Sequence, residues 1–240
     1  MMAVPTDSRS SQDAPAAASP SAGNAGAHHD TENPAPCPDA AAASTRRRAF
    51  EAPPTPARYL QMQWAFAYGS LIWNPEFDFD ERHKVRIDGY HRAFCINSHT
   101  YRGTPDAPGV VLGLDQGGSC EGIVYRVRSG QEAQIMDRIY QREMVSEVYE
   151  PLVLSIPLPD GRLVSALTFI ACRHDLHGYL PGPHSEVLRR LHQCTGCRGS
   201  NRDYALNTQA ALHEWGIHDP ALDTLIAELQ TLSTHPDPDN

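Results

Sequence analysis

From residue 59 onward, apolar and polar residues recur with the periods of regular structure; before it they do not. Alternating or continuous apolar runs with β-branched and aromatic residues predict strands at 64–67, 85–97, 110–114, 121–127, 152–157 and 163–171. The last two flank Pro159-Asp160-Gly161, which reads as a hairpin turn. A helical period predicts helices at 131–144, 185–193, 201–215 and 221–232, the last opened by Asp219-Pro220 as cap and first-turn proline. Strands first and helices last, without βαβ alternation, give an α+β fold with a mostly antiparallel sheet.

The helix at 131–144 carries an anomaly. Ser129 and Glu132 have the spacing of a capping box, which fixes where it starts. At about 100° per residue, Ile135, Met136, Ile139 and Tyr140 form one stripe and Asp137, Arg138, Gln141 and Arg142 lie opposite. Glu143 falls inside the apolar stripe. Either the helix ends before it and the carboxylate turns to solvent or to an arginine, or Glu143 is partly buried with a raised pKa, suited to proton transfer near neutral pH. Upstream, the strand at 64–67 runs into Tyr68-Gly69-Ser70, where a sharp turn leaves amide N–H groups free to hold an anion.

Composition narrows the setting. Residues 1–58 are rich in Ala, Pro and Ser, hold nine of the twenty prolines and have few large apolar residues, so they are expected to be a disordered arm. Residues 59–240 are expected to form one domain. That domain carries 23 acids against 15 bases, which argues against nucleic acid as a partner. The absence of a long apolar run or a secretory leader points to a cytoplasmic protein without a membrane partner. Six dispersed cysteines suit reduced thiols better than a disulfide framework. His192, Cys194 and Cys197 could form a zinc or redox site or simply a loop; no second ligand pair accompanies them, and no metal is expected.

Taken in order, Phe66 to Pro75 (FAYGSLIWNP), Gly89 to Phe94 (GYHRAF), Tyr101 to Gly109 (YRGTPDAPG), Cys120 to Val127 (CEGIVYRV), Gln141 to Met144 (QREM) with Tyr149 to Pro151 (YEP), Tyr179 to Pro183 (YLPGP) and Gly199 to Thr208 (GSNRDYALNT) resemble the ChaC family of glutathione-specific γ-glutamylcyclotransferases. The resemblance spans nearly all of residues 62–230. It implies a mixed, barrel-like sheet with helices around it, and cleavage of glutathione to 5-oxoproline and cysteinylglycine without a cofactor. It places the catalytic acid on Glu143, the residue the helical pattern also singles out, and the γ-glutamyl cradle on Tyr68, Gly69, Ser70 and Leu71, with Phe66 and Ala67 just before it as further substrate-binding candidates. Arg102, Tyr149 and Tyr179 are further candidates: Arg102 for a substrate carboxylate or a surface acid, the tyrosines for substrate or for backbone. A non-catalytic regulator or thiol-binding module of the same fold, and a cyclotransferase acting on other γ-glutamyl compounds, remain alternatives.

Overall fold

A computed structural model describes residues 52–144, 148–175 and 178–232. After a short helix α1 (Ala57–Leu60), the chain forms β1 (Trp64–Ala67), a 3-10 turn (Ser70–Ile72), β2 (Phe79–Ser98), β3 (Gly109–Val127), α2 (Glu132–Glu143), β4 (Tyr149–Pro157) and β5 (Leu163–Ala171). Helix α3 (His184–Gln193), a small hairpin of β6 (Thr195–Gly196) and β7 (Gly199–Ser200), α4 (Asn201–Glu214) and α5 (Pro220–Leu232) complete it. The five long strands order as β2-β3-β1-β5-β4, antiparallel except for the parallel pair β1–β5. The edge strands β2 and β4 touch, curling the mixed sheet toward a barrel.

Strand β1 sits at the middle of the sheet and is buried on both faces. Its period of two sends Trp64 and Phe66, followed by Tyr68, into the sheet's own apolar interior with Leu112, Leu114, Val124 and Ile156. Ala65 faces the α2 stripe of Ile135, Met136, Ile139 and Tyr140. Ala67 faces the layer of α3, α4 and α5, where Leu191, Leu212, Ile226 and Leu229 are almost fully enclosed. Burying each such side chain stabilises by about 1.5–3 kcal/mol.

Three expectations change. The runs at 110–114 and 121–127 are one strand, because the left-handed Gly117 and Gly118 bend the ladder instead of ending it, opposite a register shift at Asp88/Tyr90. Ser129 and Glu132 form no capping box: Gln131 is the N-cap residue without a side-chain bond, and the Ser129 N–H donates to Asp80. Residues 52–58, assigned to the arm, are ordered against α2, with Thr55 Oγ1 2.5 Å from Asp137 and Gln141 donating to the Pro53 carbonyl; residues 1–51 lie outside the described residues. Cys95, Cys120, Cys172 and Cys194 are free thiols. Among the described residues no helix is long and apolar enough to cross a membrane.

Candidate active site

Glu143 is the last residue of α2, and the stripe that buries Ile135, Met136, Ile139 and Tyr140 carries it inward. Its side chain is 18% exposed. Burial pushes its carboxyl above the ordinary value of 4.5, opposed by Arg142 and reinforced by Glu76. Glu143 thus stays on the helix and turns inward, and it also lies within ion-pair distance of Arg142, so features of both positions left open by the helical pattern are present.

Arg142, next to it, ties α2 to the turn after β1. Its Nη2 donates to Ser70 Oγ at 3.0 Å and its Nη1 to the Asn74 carbonyl at 3.2 Å and Glu76 Oε2 at 3.0 Å. Its Nε lies 3.7 Å from Glu143 Oε1. Glu76 holds a left-handed backbone at φ 56, a conformation that costs a non-glycine residue about a kcal/mol or more and that the Arg142 and Arg138 bonds help to hold.

The turn itself offers the expected amides. Among the described residues, the N–H groups of Gly69, Ser70 and Leu71 donate to no protein acceptor, while the carbonyls of Gly69 and Ser70 close the 3-10 turn. Arg92 fixes the turn's entrance: its side chain is 2% exposed, and it donates to the Tyr68 carbonyl at 2.6 Å, the Glu121 carbonyl at 2.6 Å and Asp219 Oδ2 at 2.7 Å. The other oxygen of Asp219 accepts from the Leu222 N–H, so the expected cap of α5 is also an anchor of the cradle. Gly69 has φ −138 and ψ −130; a Cβ there would end 3.8 Å from Leu112 and from the Tyr204 hydroxyl, in the space the turn faces.

Three tyrosines gather around that space. Glu143 acts electrostatically on Tyr68, Tyr149 and Tyr204, whose hydroxyls burial pushes up, Tyr204 to about 12. Tyr149 donates to the Leu112 carbonyl at 2.9 Å, and Tyr204 accepts from the Leu112 N–H at 3.3 Å. Tyr179 belongs to a neighbouring cluster: its hydroxyl donates to Asp115 Oδ2 at 2.9 Å, and Arg173 holds the other oxygen at 2.7 Å. Tyr149 and Tyr179 nevertheless pack on one small apolar group that includes Cys95.

The remaining candidates divide. Phe66 and Ala67 are core residues at 2% exposure each, and Leu71 leans on the helical layer. Arg102 donates to the Ser200 carbonyl at 3.2 Å and its guanidinium lies 5.3 Å over the Tyr204 ring. Its loop is locked because Gly109 touches the Arg102 carbonyl where any Cβ would stand. Cys194 is buried at the hairpin's base with Sγ 3.5 Å from the Pro108 carbonyl. Groups of His, Cys, Asp and Glu close enough for a cation occur elsewhere among the described residues, at His213–His218–Asp223 and Glu81–His83–Asp160, the second already bridged by Arg162. Arg92, Arg142 and Tyr204 were not singled out from sequence as site residues, although each sits inside a quoted motif.

The model of the family described as ChaC-like protein matches residues 63–232. A glutathione-specific γ-glutamylcyclotransferase of Escherichia coli K12 is 34% identical over 178 residues, covering 73% of this chain and 76% of its own. γ-Glutamylcyclotransferase 2-1 of Arabidopsis thaliana is 35% identical over 162 residues, 63% of this chain and 74% of its own. A crystal structure of a γ-glutamyl cyclotransferase specific to glutathione, from yeast, superposes with a TM-score of 0.64 over 70% of this chain and 95% of that one; at 20% identity this speaks to the fold. With its motifs in order on that fold, the chain belongs to the ChaC-like family.

Proposed function

We propose that this chain is a glutathione-specific γ-glutamylcyclotransferase, closing the γ-glutamyl unit of glutathione to 5-oxoproline and releasing cysteinylglycine. The observation that carries the reading is Glu143: a carboxylate drawn to 18% exposure at a helix end, with its pKa raised, beside a turn of unpaired amides. The names of the relatives at 34% and 35% identity support the same reaction class.

The substrate's α-amine attacks its own δ-carbonyl to close a five-membered lactam, so orientation supplies much of the acceleration. An α-amine with pKa about 8 is mostly protonated at neutral pH. The ammonium first releases one proton to water; as the neutral amine adds to the carbonyl, Glu143 takes the second proton from the attacking nitrogen and returns it to the departing cysteinyl nitrogen, which would otherwise leave as a poor anion. The amides of Gly69, Ser70 and Leu71 and the Ser70 hydroxyl, steadied by Arg142, receive the γ-glutamyl end. The reaction as written consumes no cofactor.

The test is to incubate purified protein with glutathione and EDTA and to follow 5-oxoproline and cysteinylglycine by mass spectrometry, with γ-glutamylalanine as a competing substrate. Glutathione should be turned over preferentially, and Glu143→Gln should keep binding but lose about 10²- to 10⁴-fold in turnover. Failure of the parent to form 5-oxoproline, or a Glu143→Gln variant near the parental rate, would overturn the reading.

A further inference from the structure

Tyr204 has no part in the scheme above, yet its hydroxyl stands at the wall of the same space. A phenol has one proton to donate and lone pairs to accept with. The backbone of Leu112 sorts the two hydroxyls that reach it. Tyr149 donates to the Leu112 carbonyl, which commits its proton; Tyr204 accepts from the Leu112 N–H, which leaves its proton pointing elsewhere. Among the described residues, no acceptor takes that proton.

The oxygen is held in place from several sides. Asn201, fully buried, bonds both the N–H and the carbonyl of Val110 at 2.7 Å, fixing the first turn of α4 on β3 two residues from Leu112. Ser200 caps that turn through the Asp203 N–H. The Tyr204 ring is 7% exposed, meets Phe94 edge-on and carries the Arg102 guanidinium on its face. In front of it, a Cβ on Gly69 would stop 3.8 Å from the oxygen. Glu143 and Arg142 both act on it electrostatically. With its pKa pushed up to about 12, the phenol stays protonated through neutral and mildly alkaline pH, so it is a donor and not a second base.

We infer that Tyr204 is a further catalytic residue, donating its hydrogen bond to the δ-carbonyl oxygen of the γ-glutamyl group as that oxygen becomes an oxyanion. This rests on the cyclotransferase reading. No proton changes hands at Tyr204: the bond strengthens as charge develops and relaxes when the lactam carbonyl reforms.

The test compares Tyr204→Phe, Tyr149→Phe and Tyr68→Phe. Removing a donor aimed at an oxyanion lowers kcat by about 10²-fold, so Tyr204→Phe should show that loss with KM within a few-fold of the parent. Tyr149→Phe, whose proton is already committed, should lose far less. A fluorinated tyrosine at 204 keeps the ring and its packing while making the phenol more acidic. It should bring the alkaline fall of kcat to lower pH, and this arm stands even if Tyr204→Phe fails to fold. A parent inactive on glutathione defeats the cyclotransferase reading itself. An active parent with a folded Tyr204→Phe at near-parental kcat, a loss confined to KM, a loss confined to Tyr68→Phe, or an unshifted alkaline limb in the fluorinated protein would overturn the role of Tyr204 alone.

Discussion

Replacing Arg92 tests how the cradle is held. In a trans peptide the N–H points away from the preceding carbonyl. By gripping the Tyr68 carbonyl, Arg92 therefore aims the Gly69 N–H away from the guanidinium and leaves it free. Arg92→Met strands Asp219, a carboxylate only 18% exposed, and two carbonyls. Breaking a buried ion pair costs about 3–5 kcal/mol, and each carbonyl left without a donor about 1–3 kcal/mol. Together these approach the roughly 5–15 kcal/mol that holds a typical domain, so this variant should be poorly folded. Arg92→Lys keeps the charge opposite Asp219 but cannot reproduce the three-way fork, and should lose about 2–4 kcal/mol at one or two charge-assisted bonds. Urea unfolding, the KM for glutathione and amide hydrogen exchange of the Gly69–Ile72 segment read the effect. Arg92→Lys should fold, raise KM about 10-fold and exchange faster in that segment than its global stability accounts for. A folded Arg92→Lys with parental stability, KM and exchange would refute the clamp.

Two other changes separate space from charge. Gly69→Ala, whose new methyl meets only ordinary contacts at 3.8 Å, should raise KM about 10-fold by filling the space before Tyr204; an unchanged KM would mean the substrate does not use it. Because Glu143 has a raised folded-state pKa, its favourable contribution is complete below the ordinary 4.5 and is lost as pH rises through the folded value. Glu143→Gln should therefore be more stable than the parent at pH 8 and hold no advantage at pH 4, checked by urea midpoints at both; equal midpoints at pH 8 would show that Glu143 ionises there without penalty.

What the sequence made legible were features that are local and periodic. The stripe from Ile135 to Tyr140 led to Glu143 because one helical face is written every three or four residues. Asp219-Pro220 marked the start of α5 for the same reason. The capping box was misleading because the Ser129 N–H found a better acceptor in Asp80, 49 residues away. The gap between the runs at 110–114 and 121–127 contains Gly117 and Gly118, and glycine pairs signal turns and bulges alike. Arg142 looked like solvent-face charge until Ser70, Asn74 and Glu76 were brought beneath it. The sorting of Tyr149 and Tyr204 by Leu112 had no local signature at all, the second bond spanning 92 residues.

The surroundings of Glu143 also bear on which atom attacks. Cys95 and Cys120 both act on Tyr68 electrostatically, but burial pushes their thiols up to about 12 and about 11, so at neutral pH they are protonated and weak nucleophiles. Ser70 is the hydroxyl of the turn, and its oxygen accepts from Arg142, a cation that withdraws electron density instead of removing a proton. Tyr149 has its proton committed to the Leu112 carbonyl, and the Tyr204 phenol holds its proton to about pH 12. Glu143 differs from all of these in being a carboxyl whose pKa burial pushes above the ordinary 4.5, with Arg142 at 3.7 Å tempering the rise. A site with one ready base and several withheld nucleophiles suits a reaction in which the substrate brings its own. The amine and the carbonyl arrive on one molecule, and the protein's task reduces to moving one proton and accepting one transient negative charge.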